Sequence, residues 1–192
     1  MYLDTGEIMD ISPFIRQKYD LKVNNEIERF YDEISYEASL EKGIFLISLK
    51  DRTKKEVRLK LEEKYRNKVA ILRAIEKLEE FGYLNDLDYA MSYIESRTYG
   101  KNRISYNLFQ KGINKDLVEK AYLTLDEEKE ENVEDVKLEK LIEKKGKKVN
   151  VNNERDEKKI KEEQKLIQYL ARQGFSLDKI FKKLKEYKGN FE

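Results

Sequence analysis

Arginines and lysines carry most of the chemistry this sequence has to offer, and their spacing singles out two segments. Residues 97–115 contain Arg97, Lys101, Arg103, Lys111 and Lys115 with no acid, interleaved with Tyr99, Tyr106 and Phe109. Residues 50–73 hold ten basic residues against four acidic ones, opening with Arg52, Lys54, Lys55 and Arg58. Such cations neutralise phosphates or pair with acidic protein surface, and exposed aromatics beside them stack on bases or anchor an interface. Arg52, Lys54, Lys55, Arg58, Arg97, Lys101, Arg103 and Lys111 are therefore the candidate partner-binding residues, for protein or for DNA. The competing reading of 97–113 is a solvated helix face with Tyr106 and Phe109 in the core.

Other chemistries lack their residues. Without His or Cys there is no zinc site built on those side chains, no thiol nucleophile, no disulfide and no His-based general base. The Gly100-Lys101 pair is not a phosphate-binding loop, because the surrounding Gly-x-x-x-x-Gly-Lys-Ser/Thr pattern is missing. Asp86 and Asp88 fit a helix cap and a first-turn acid better than an acid–base or metal pair. The expectation is a protein that is not an enzyme, with no catalytic residue, metal or cofactor.

The elements that must position the cations are helices. One Pro and eight Gly in 192 residues leave few breakers, and apolar residues recur at spacings of three and four. Helices are predicted near 25–50, 54–65, 68–81, 86–98, 102–111, 115–125, 132–146, 156–173 and 177–188. Tyr2 to Ile8 reads as strand, turn, strand, and Gly43 to Leu49 as a core segment. Thr53 with Glu56 forms a capping box that starts the second of these helices.

Three windows, 60–78, 107–125 and 169–187, superpose without gaps. Leu61, Leu108 and Leu170 correspond, as do Ile71, Val118 and Ile180, then Ile75, Tyr122 and Leu184, then Leu78, Leu125 and Tyr187. A helix ends near Tyr65, Gly112 or Gly174, and Asn67, Asn114 or Ser176 caps the next. An upstream helix completes each unit, so the fold class expected is all-α: a tandem repeat of three three-helix units in an elongated curved array, with a short N-terminal β-hairpin-like remnant. The organisation expected is an extension over 1–24, then repeats over 25–84, 85–125 and 126–192, the last with an acidic linker and an inserted loop at 147–155.

The charge is segregated. Forty basic and thirty-nine acidic residues leave a net charge of +1. Yet residues 126–136 hold seven acids against Lys129, whereas 137–192 hold seventeen basic and ten acidic residues, a surplus of seven. The acidic run reads as a solvated linker. No apolar run approaches the roughly 20 residues of a membrane span, and the opening MYLDTGEIMD lacks a basic n-region, so a soluble cytoplasmic protein, a monomer without membrane contact, is expected.

In this order the residues resemble the RecX family of recombinase regulators. The likeness lies in Arg52-Thr53-Lys54-Lys55-Glu56, then Leu78 to Ala90 around Phe81-Gly82-Tyr83-Leu84-Asn85-Asp86. It continues through Arg97, Arg103-Ile104, Leu108 and Lys111-Gly112-Ile113 to Tyr169-Leu170-Ala171-Arg172-Gln173-Gly174-Phe175, spanning about residues 38–187. The resemblance implies three tandem three-helix repeats and a protein that binds the RecA recombinase filament, in or near its helical groove. There it inhibits or modulates strand exchange and the coupled ATPase in DNA repair and recombination, with auxiliary contact to DNA phosphates. It identifies no individual contact residue. The chain departs from the family pattern at Tyr65-Arg66, where relatives carry Gly and an apolar residue, in a shorter N-terminal region and in a divergent third unit. A helix-turn-helix DNA-binding regulator is the alternative, and a generic helical scaffold a third reading.

Overall fold

Apolar residues at helical spacing, bounded by side-chain caps and glycines, give ten α-helices among the described residues of a computed structural model. The structure describes residues 1–4, 6–23, 26–146 and 157–189. The helices are α1 (Pro13–Lys18), α2 (Tyr31–Leu49), α3 (Lys54–Glu62), α4 (Lys68–Glu80), α5 (Asp86–Ser96), α6 (Lys101–Gln110), α7 (Lys115–Lys129), α8 (Val133–Gly146), α9 (Glu157–Arg172) and α10 (Leu177–Gly189). The all-α class read from the sequence is the observed one. The chain divides into two compact units, residues 1–89 and 90–192. The polar stretch 147–155, expected as a loop, lies outside the described residues.

The repeated punctuation has the expected geometry. Thr53 accepts from the Glu56 N–H while the Glu56 carboxylate accepts from the Thr53 N–H, closing the capping box. Asn67, Asn114 and Ser176 accept from the N–H groups of Ala70, Leu117 and Lys179. Gly82, Gly112 and Gly174 end α4, α6 and α9 with φ of 74°, 91° and 96°, a left-handed backbone in which a Cβ is strained. The residues that correspond between windows, from Leu61 through Leu184, are buried, and Tyr187 is partly so.

In the first unit α2 and α4 run parallel, as their pairings show: Asn67 donates to Asp32 at 2.7 Å, Arg73 to Glu33 at 3.0 Å, and Gly43 faces Leu78. A Cβ at Gly43 would sit 2.5 Å from Leu78 Cδ1, so the glycine lets the two helices approach. The Gly43–Leu49 segment is only half core. Gly43 and Leu46 are buried, but Ile44, Phe45 and Leu49 are exposed, because successive helical residues cannot all face one neighbour.

The N-terminus departs most from the sequence reading. Tyr2 and Ile8 form an isolated antiparallel bridge, so the hairpin is reduced to a single bridge flanked by the Leu3 N–H to Glu7 carbonyl and Met9 N–H to Met1 carbonyl bonds, each 2.9 Å. Helix α1 is not expected from the sequence, because Pro13 reads as a breaker; it is instead the first helical residue, behind Ser12, whose hydroxyl accepts the Ile15 N–H. This N-terminal segment is fastened to the repeat. Buried Glu7 accepts from the Tyr31 hydroxyl at 2.8 Å and from the Arg66 N–H at 3.3 Å, and the Tyr65 hydroxyl donates to the Asp10 carbonyl at 2.9 Å. Tyr65 thus clamps the extension, and burial pushes its phenol well above the usual range. The helix expected from residue 25 begins at Tyr31, after a 3-10 turn at Glu28–Phe30.

In the second unit the acidic run 126–136 is ordered rather than a free linker. Helix α7 continues to Lys129, Glu130 takes a left-handed φ of 53°, and α8 starts at Val133. Asp126 accepts from the Val133 N–H at 2.8 Å and from the Asn132 amide at 3.0 Å, which folds the acids around the turn.

Candidate partner-binding surface

Seven of the eight candidate cations sit around the start of α3 or the start of α6, with Lys111 at the end of α6, and many already have work inside the fold. Half-buried Arg52 donates through Nε to the Leu46 carbonyl at 3.1 Å, satisfying an open carbonyl near the end of α2. Lys54 pairs with Glu79 at 2.8 Å, and exposed Arg58 with Glu62 at 3.6 Å. Lys55 is exposed on the first turn of α3. In the second unit the Lys101 ammonium lies 2.5 Å from Glu119 and 5.0 Å from the Tyr122 ring centroid. The Arg103 guanidinium stacks 3.9 Å from the Tyr99 ring and donates to the Gln173 amide oxygen at 3.3 Å. Exposed Arg97 lies 5.4 Å from the Tyr93 ring, and Lys111 is half-buried at the end of α6. Of the eight, Lys55, Arg58 and Arg97 are exposed, as is Lys115 at the start of α7.

The two helix starts share a device that the sequence reading missed. The Lys54 N–H, first of α3, donates to the Asp86 carboxylate at 2.9 Å; the Lys101 N–H, first of α6, donates to Glu134 at 2.7 Å. Each acid lies in the first turn of a later helix, Asp86 in α5 and Glu134 in α8, and reaches back to an orphan N–H that the local cap does not take. Asp86 therefore does not cap its own helix. That task falls to Asn85, whose side-chain oxygen accepts from the Leu87 and Asp88 N–H groups. Burial pushes the Asp86 carboxyl up, against the Lys54 N–H that pulls it down. Glu134 is buried and also accepts from the Lys179 ammonium at 2.7 Å; burial lowers Lys179, but bonds to Glu134 and Asp135 raise it further. No spacing rule points to such partners, which lie 32 and 33 residues away.

The start of α6 is also pressed against the α9–α10 turn. The Gly100 N–H donates to the Gln173 carbonyl at 2.9 Å and the Asn102 N–H to the Gly174 carbonyl at 3.1 Å. A Cβ on Gly100 would lie 2.4 Å from the Gly174 carbonyl carbon, and one on Gly174 2.5 Å from Arg103 Cβ. This is the physical reason for glycine on both sides, and it fixes where Arg103 stands.

The outer face of α6 decides between the two readings of its aromatics. Ile104 and Leu108 are buried on one side, and Tyr106 and Phe109 stand on the other, 65% and 64% exposed. They are not core residues. Among the described residues no cluster of His, Cys, Asp and Glu could hold a metal, and no helix is long and apolar enough to cross a membrane.

A sequence profile described as "RecX, second three-helix domain" matches residues 85–121, from the Asn85 cap to Ala121 in α7. Over its whole length the chain aligns with the Regulatory protein RecX of Clostridium botulinum (strain Alaska E43 / Type E3), 31% identical over 199 residues and covering 90% of that protein. The chain belongs to the RecX family. The Clostridium beijerinckii RecX is 29% identical over 185 residues, which cover 93% of this chain and 84% of that one. Among solved structures, the crystal structure of RecX from Lactobacillus salivarius superposes with a TM-score of 0.65 at 28% identity, covering 79% of this chain and 96% of that one. A second RecX crystal structure, 22% identical, shares the fold with a TM-score of 0.65 over 96% of this chain and 91% of its own. Membership of the RecX family makes this a regulatory protein.

Proposed function

We propose that this RecX-family chain regulates the RecA recombinase filament, binding it and inhibiting or modulating strand exchange and the coupled ATPase in DNA repair and recombination. Family membership, resting on the full-length Clostridium botulinum relative, is the observation that carries this reading. The protein acts in the cytoplasm as a monomer, without a cofactor and without chemistry of its own. Its three repeats, over 25–84, 85–125 and 126–192, present the cations of the second helices to acidic recombinase surface, with auxiliary contact to DNA phosphates. In this reading Lys55 and Arg58 on α3 and Arg97 and Arg103 around α6 meet the partner; Arg52, Lys54 and Lys101 support the helix starts that carry them, and Lys111 flanks the end of α6.

RecA ATPase on single-stranded DNA, titrated with the protein at physiological salt, tests the proposal. A fall at substoichiometric protein is the expected result. A fall only as the DNA becomes saturated would favour a DNA-binding regulator that competes for the strand, and no effect at any ratio would remove the assignment. Arg97→Glu with Arg103→Glu is expected to weaken inhibition while leaving the helical circular dichroism signal in place.

A further inference from the structure

The exposed aromatics of α6 have no part in the fold and none in the ionic contacts proposed above. Tyr106 and Phe109 are three residues apart on the face opposite buried Ile104 and Leu108, so they stand side by side, their Cβ atoms about 5–6 Å apart as for any such helical pair. Arg103 borders them on the same helix, its guanidinium over the Tyr99 ring at 3.9 Å from the centroid. No carboxylate occurs from residue 97 to residue 115, and the two acids that reach the start of α6, Glu119 and Glu134, are taken by the Lys101 ammonium and the Lys101 N–H. Two exposed rings beside an arginine, on a stretch of chain without acids, match how single strands are held by stacking and phosphate contact together.

We propose that the outer face of α6 is a stacking platform for unpaired bases, with Tyr106 and Phe109 each taking a base and Arg97, Arg103 and Lys115 taking phosphates. The surface accordingly takes a single strand in preference to duplex, whose bases are already stacked on one another. This goes beyond regulation of the recombinase, because it requires the protein and the strand alone.

Binding of the full-length protein to labelled oligo(dT), with recombinase absent, tests it. Tyr106→Ala and Phe109→Ala are each expected to weaken oligo(dT) binding by about 5- to 150-fold, the range for loss of one base–aromatic stack, and to leave binding to duplex of equal length unchanged. The sequence contains no Trp, so Tyr106→Trp introduces a single reporter. Its fluorescence is expected to be quenched by oligo(dT) and not by inorganic polyphosphate. Equal oligo(dT) binding by wild type and the double alanine variant would overturn the proposal, as would equal affinity for duplex or no binding at low salt. If the alanine variants lose ATPase inhibition but keep oligo(dT) binding, the rings anchor a protein instead, and the proposal falls while the recombinase assignment stands. Aromatic-dependent oligo(dT) binding without any effect on RecA would uphold the stacking platform and remove the recombinase assignment.

Discussion

Lys137 is a half-buried lysine whose surroundings disfavour its charge. Its ammonium donates to the Ile94 carbonyl near the end of α5, and burial, with Lys129 adding to it, outweighs Glu134 and Glu95 and lowers its pKa to about 8. The folded chain therefore releases this proton before the unfolded chain does, whose lysine titrates near 10.5. Between these values the unfolded state binds more protons, so stability rises with pH across the window, and the full penalty of the buried charge is present below it. Lys129, Lys179, Lys183 and the buried tyrosines are shifted upward and titrate above the lower part of that window. The urea midpoint is thus expected to increase from pH 7 to pH 9.5 in the wild type and to lose that increase in Lys137→Met. An equal slope in both would show that Lys137 is not the group responsible. Charge reversals separate binders from supports in the same way. Lys101→Glu sets a carboxylate against Glu119 beneath the helix start and is expected to cost about 1 kcal/mol of stability in urea titration, whereas exposed Arg97→Glu costs within about 0.5 kcal/mol.

At the level of the elements, helix placement was legible because apolar spacing and caps are local signals, and α3 through α10 lie within a few residues of their predicted bounds. What joins the elements was not, because it depends on residues brought together from a distance. Asp86 and Glu134 look in sequence like ordinary first-turn acids, and only the fold turns each toward another helix's open N–H. Likewise no pattern within α6 tells that Gly174 will lie against its first turn, and the spacing of Tyr106 and Phe109 alone does not choose between core and solvent. The glycines give a clean test of this difference. Gly82 and Gly174 both hold a positive φ, 74° and 96°, but a Cβ on Gly82 meets nothing within 4 Å, whereas one on Gly174 meets Arg103 Cβ at 2.5 Å and its N at 2.6 Å. Gly82→Ala is expected to cost roughly 1–2 kcal/mol, the backbone penalty alone. Gly174→Ala adds an overpacking cost of about 1–3 kcal/mol and should also displace Arg103. Equal losses in urea unfolding would show that the close approach at Gly174 contributes nothing beyond its φ.

Across the whole molecule the charges nearly cancel, forty against thirty-nine, and the fold spends many of them on one another: Lys179 and Lys183 on the acids of α8, Lys129 on Glu95, Lys54 on Glu79. A net charge of +1 gives little long-range attraction for a polyanion, so binding must rest on the few cations that local sequence has cleared of acids. This sets the salt dependence of strand binding apart from that of a broadly basic protein. If Arg97, Arg103 and Lys115 each neutralise one phosphate, the slope of log affinity against log salt on a single strand is about −2, from roughly 0.7 per phosphate contact. Raising salt from about 50 to 200 mM would then weaken oligo(dT) binding by about 20-fold, against the roughly 1,000-fold or more expected when six to ten phosphates of a duplex are engaged. The aromatic contribution is nearly indifferent to salt, so Tyr106→Ala is expected to lower the affinity at every salt concentration and leave the slope unchanged. Arg97→Glu should flatten the slope by at least one contact. A steep slope that Arg97→Glu does not alter would place the DNA contacts elsewhere on the chain, on the basic stretches of the first or third repeat.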